Sequence, residues 1–125
     1  MKKSLLSALL LLAFSFTGFS QTAFAGDWVG ESKMPDGQVV KFKMSISQDG
    51  YEVDMGMKGK VDVVGKHVTE GNRVTVWDVS GEFACPSDQK GVYTYALDGD
   101  TLTFTKVSDP CEGRGSDDVL ILKKM

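Results

Sequence analysis

Catalytic residue types are scarce in this chain, which has one histidine, His67, and two cysteines, Cys85 and Cys111. Any Cys–His nucleophile or His–carboxylate base would have to use His67. That residue stands beside Lys66 in a strand-like stretch and reads as an ordinary strand or surface position. No Cys-x-x-Cys pair occurs, which removes thioredoxin-like redox work, and no Cys/His cluster has the spacing of a zinc site. Asp98-Gly99-Asp100 lacks the alternating oxygen ligands of a calcium loop and reads as a turn. The 17 acidic residues supply many accidental carboxylate pairs, and none is singled out for sugar hydrolysis. The expectation is a non-enzyme with no catalytic residue, no metal and no cofactor.

Basic clusters and long apolar runs are lacking too. The one extended apolar run, Leu5 to Phe16, follows Lys2 and Lys3 and is shorter than the roughly 20 residues a membrane span needs. Polar residues and Ala23-Phe24-Ala25 close it, the small-x-small pattern of a signal peptidase site. Residues 1–25 therefore read as a cleaved signal peptide, and residues 26–125 as one exported domain, periplasmic or secreted, monomeric and without a membrane span. Neither cysteine lies near that site, which argues against a lipoprotein. Without Lys2 and Lys3, 12 basic groups face 17 acidic ones, a formal charge of −5. Phosphate backbones and anionic membrane surfaces repel such a domain, so nucleic acid is not an expected partner. Oxidising surroundings and a small core predict that Cys85 and Cys111 pair.

What remains is strand pattern. Helical periodicity is absent from the exported stretch, whereas alternating runs recur every 8–12 residues, the spacing of an all-β barrel or sandwich. In Val40-Lys41-Phe42-Lys43-Met44-Ser45-Ile46-Ser47 the apolar residues share one face. Eight strands are predicted: 26–34, 39–47, 51–58, 61–68, 73–82, 91–97, 101–108 and 118–124. Gln48-Asp49-Gly50, Glu70-Gly71-Asn72 and Asp98-Gly99-Asp100 are tight hairpin signals. If sequential strands pair, these turns share the end where the domain begins. The longer loops, 83–90 and 109–117, share the other end, and each carries one cysteine. An antiparallel up-and-down arrangement of eight strands closes into a barrel and leaves no edge exposed.

Gly26-Asp27-Trp28 resembles the Gly-x-Trp opening of lipocalins and other calycin-like barrels. The run from Gly91 to Phe104, followed by Asp109-Pro110-Cys111-Glu112-Gly113-Arg114, is similar to small bacterial secreted lipocalin-like proteins. The resemblance implies that Trp28 packs across the closed end of the barrel, under a basic residue of the last strand. Lys123 or Lys124 is placed for that role, whereas Arg114 precedes strand eight and belongs to the far end. The domain is shorter than a typical lipocalin and lacks its C-terminal helix. Compact periplasmic inhibitors of proteases and of lysozyme resemble the same plan.

Two functions follow as expectations. The first is a binding protein holding a small apolar ligand at the barrel mouth, contacted by Phe42, Met44, Met55, Tyr93 and Phe104, with Arg114 near the rim. The second is an inhibitor that presents the disulfide-clasped loops to a secreted enzyme. Met34, Met44, Met55 and Met57 fall on the apolar faces of the first three strands, where thioethers suit an adaptable pocket or fill an irregular core. Core filling is the better expectation for so small a domain. Arg114 offers a fork-shaped donor for a ligand carboxylate, or else pairs with Asp109 or Asp117 within its own loop.

Overall fold

Alternation with a period of two runs through the chain, and the computed structural model, which describes residues 22–34, 36–114 and 118–125, folds it accordingly. The strands are β1 (Gly26–Lys33), β2 (Val39–Ile46), β3 (Gly50–Met55), β4 (Val63–Glu70), β5 (Arg73–Ser80), β6 (Gly91–Asp98), β7 (Thr101–Ser108) and β8 (Val119–Lys124). Each pairs antiparallel with its sequence neighbours, and β1 pairs with β8 through Trp28↔Lys124 and Val29↔Lys123, closing the barrel. The fold is an eight-stranded, closed, antiparallel up-and-down β-barrel. Such a barrel is compatible with a lipocalin-like plan. Among the described residues no helix is long and apolar enough to cross a membrane.

The inward side chains come from every second position. Phe42, Ile46, Tyr51, Val53, Val63, Val74, Tyr93, Leu102, Phe104 and Leu122 form one buried cluster with Trp28 and Phe24. Leu102 and Leu122 have no exposed surface, and burying each contributes roughly 1.5–3 kcal/mol. Trp28 lies at the tight-turn end with Lys124 Nζ 5.2 Å from its ring centroid, so of the two candidate lysines Lys124 covers the indole. Lys123 Nζ instead bonds to Thr101 Oγ1 at 3.0 Å.

The predicted strand three ran through 58, but β3 stops at Met55. Gly56 (φ 84°) and Met57 (φ 53°) adopt left-handed backbone. The Asp54 carboxylate accepts the N–H groups of Lys58 and Gly59, at 3.0 and 2.8 Å, and tightens that turn. Met57 therefore leaves the apolar face and is exposed. Cys85 and Cys111 form a disulfide across the two long loops, with Cα atoms 6.2 Å apart. A clasp over 26 residues stabilises the fold by roughly 3 kcal/mol in the loop-entropy account.

Candidate functional site

The strands enclose a cavity of about 530 Å3 lined mostly by apolar side chains. Its wall runs from buried Phe24, near the tight turns, to Phe83, which is 58% exposed beside the clasped loops. Phe42, Met44, Met55, Tyr93, Phe104 and Arg114 all line it, so the structure brings together the residues that the sequence singles out as ligand contacts. Met34, Met44 and Met55 line it too, and Met44 and Met55 also pack against the buried cluster, as the core-filling expectation has them. A volume of this order is typical of small-molecule sites.

Arg114 lines the cavity at its clasped end. A short 3-10 turn, Glu112–Arg114, follows the disulfide and carries the side chain inward. Its Nε donates to Asp109 Oδ2 at 2.8 Å, and Nη2 donates to Asp109 Oδ1 at 3.0 Å and to the Gln89 carbonyl. Nη1 lies 3.2 Å from Asp78 Oδ1. Asp117, the other expected partner, falls outside the described residues.

The same carboxylates hold two tyrosines. Tyr51 Oη donates to Asp78 Oδ1 at 2.7 Å, and Tyr93 Oη donates to Asp109 Oδ2. Two glycines make room for this. A Cβ on Gly65 would stand 2.1 Å from the Tyr51 ring, and one on Gly91 would stand 2.4 Å from the Asp109 carboxylate. Cys85 N–H donates to Asp78 Oδ2 at 2.8 Å, which ties the clasped loop to the barrel wall.

Charge follows from these contacts. Burial raises the pKa of Tyr51 and Tyr93, and hydrogen bonding to Asp78 and Asp109 pushes both higher, so both phenols stay neutral. Burial alone would raise Asp109, but bonds from Arg114, Tyr93 and the Cys111 amide outweigh it and hold the carboxyl below its usual range. Burial works against the Arg114 cation too, yet pairing with Asp109 and Asp78 raises its pKa. The result is a fixed polar wall within an apolar chamber. Asp78 also lies near both disulfide sulfurs, but a bonded sulfur has no thiolate to offer a metal.

His67 is 5% exposed and lines the cavity, so it is a strand residue as expected but an inward one. Its Nε2 lies 2.9 Å from the Ser47 carbonyl oxygen. Sequence reasoning also missed Asp78, although the period Val74-x-Val76-x-Asp78 places its carboxylate on the inner face.

No family model matches the chain, and no curated protein or solved structure matches it significantly.

Proposed function

We propose that this protein is an exported, lipocalin-like binding protein that holds a small apolar ligand inside the barrel without transforming it. The observation that carries this reading is the 530 Å3 chamber walled by Phe42, Met44, Met55, Tyr93 and Phe104. A barrel of eight strands either fills its interior with side chains or holds one small ligand. The unfilled volume and its Met-rich lining support the second case, since unbranched thioethers repack around varied shapes. Export and a calycin kinship rest on the leader pattern, the disulfide and the Gly26-Asp27-Trp28 opening. The competing reading, an inhibitor of a secreted enzyme, draws on the same clasped loops and would be favoured by a filled barrel.

Titration with Nile red, a neutral apolar dye, tests the proposal. Saturable one-to-one binding with a blue-shifted emission is the expected result. Absence of binding at micromolar protein, together with undisturbed folding, would overturn it.

A further inference from the structure

Polar side chains line the chamber in two sets, and depth separates them. In the inner wall each polar group is engaged with another or closed off from the open space. Tyr51 and Tyr93 donate to Asp78 and Asp109, and Asp78 takes the Cys85 amide on its second oxygen. Arg114 lies against the same two carboxylates, and its Nη1 is closed off. His67 Nε2 meets the Ser47 carbonyl, and Nδ1 is closed off as well. Nearest the tight turns, the side chains of Phe24, Ile46 and Val74 offer only carbon.

The second set stands at the other end. Glu31, Ser32 and Lys33 finish β1, Lys58 lies in the turn after β3, and all four line the chamber. Glu31 and Lys33 are exposed, and Lys58 is half-exposed. Four consecutive residues, Glu31 to Met34, border the chamber, whereas a strand inside a closed wall turns every second side chain outward. The chamber therefore opens to solvent past the end of β1.

A polar group carried to the inner end would lose its water and find no free partner, a cost of the kind that unpaired buried groups bear. The same group at the mouth keeps its water. We infer that the ligand is an amphiphile with a single polar end, held tail-first. Its apolar chain runs down to Phe24, and its polar end stays between the end of β1 and Lys58. This rests on the binding reading above and adds the chemical class and the direction of binding.

Two isomers of equal composition and chain length test it. Dodecane-1,2-diol has both hydroxyls at one end, and dodecane-1,12-diol has one at each. In displacement of Nile red from the purified full chain, the 1,2-isomer should bind about as tightly as dodecan-1-ol. The 1,12-isomer should bind more weakly by roughly tenfold or more, the effect of one hydroxyl buried without a partner. Direction has its own readout, because the Trp28 indole bonds to the Phe24 carbonyl. In Trp77→Phe, which leaves Trp28 as the one indole, 12-bromododecan-1-ol should quench emission more than 2-bromododecan-1-ol. Equal displacement by the two diols, or stronger quenching by the 2-bromo isomer, would overturn the inference and leave the binding reading intact. A chain that binds neither dye nor probes would overturn both. The diol comparison uses the wild-type chain, so it decides the matter even if Trp77→Phe does not fold.

Discussion

The indole Nε1 of Trp28 donates to the carbonyl of Phe24 at 3.0 Å, in a contact buried from solvent. Phe24 is 1% exposed and packs edge-on against Tyr95 and Phe104, with ring centroids 4.7 and 5.6 Å away. Thr22 secures the segment with two bonds to Gln48 in the β2–β3 turn. A short stretch before β1 thus plugs the tight-turn end of the barrel.

A cut after Ala25 and this packing exclude each other in one mature protein. Losing Phe24 would empty an aromatic site and leave the Trp28 N–H unpaired. A chain beginning at Gly26 should be less stable than one beginning at Gln21 by about 3–5 kcal/mol, the range for a large aromatic removed from a core. Urea unfolding of the two chains measures the difference. Under the export proposed above, intact mass of the protein from its native host should place the first residue upstream of Thr22; Gly18-Phe19-Ser20 is the other small-x-small stretch before it. Equal stability, or a native start at Gly26, would show that the plug is dispensable.

The disulfide lends itself to a second experiment, because it anchors residues of the chamber wall as well as the fold. The Cys85 amide holds Asp78, and the Cys111 amide donates to Asp109 Oδ1 at 2.9 Å. Replacing both cysteines by Ser should lower stability by about 2–4 kcal/mol. Nile red affinity should fall as well, since Arg114 loses the frame that holds it in the wall. Thiol titration of denatured, unreduced wild type should find no free thiol. Unchanged dye binding in the double variant would separate the clasp from the site.

Acid should destabilise the barrel through Asp109 and Asp62. Burial opposes the Asp109 charge, but Arg114, Tyr93 and the Cys111 amide lower its pKa; Asp62 is lowered chiefly by the Lys58 ammonium at 2.6 Å. A carboxyl lowered in the folded state stabilises it above the unfolded pKa, and that contribution drains away as pH falls. The unfolding free energy should therefore be flat near neutrality and decline below about pH 4. Tyr51 and Tyr93 are raised instead, so their contribution holds at neutral pH and is lost on the alkaline side, from about pH 10 upward. Asp109→Asn should be less stable at pH 7 yet show a shallower acid limb in urea titrations. An acid limb as steep as that of wild type would assign the loss to other carboxylates.

Much of the barrel was readable from alternation and turns. Val40 to Ile46 declares its face outright, and the contrast between Gly71-Asn72 and the cysteine loops sorts the two ends, which is why the topology and the disulfide agree with the structure. The site was readable where a residue's own type marks it, as with Phe42, Met44 and Phe104. It was hidden where chemistry depends on partners distant in sequence. His67 looks polar beside Lys66, and Gly65 blanks the inner-face pattern of β4, so the inward period goes unseen. Asp78 reads as a surface carboxylate until Tyr51 and Arg114, 27 residues before and 36 after it, converge on its side chain. Phe24 was obscured because a local peptidase pattern competes with a tertiary contact.

An interior that is open must tolerate added volume, and this separates a binding barrel from a filled one. Met44 lines the chamber, between buried Phe42 and Ile46 on β2. In a close-packed core, enlarging such a residue forces side chains off their rotamers at about 1–3 kcal/mol. Here the larger ring enters empty space and covers apolar surface, so Met44→Trp should melt within a few degrees of wild type, or above it. The same ring would occupy volume that the ligand needs, so Nile red binding should fall by roughly tenfold or more, about the effect of 1.4 kcal/mol. Trp substituted at Val68, exposed on β4, serves as the control and should leave dye binding unchanged. If Met44→Trp instead unfolds the protein while the Val68 variant stays folded, the chamber is filled in solution, and recognition would have to reside in the loops.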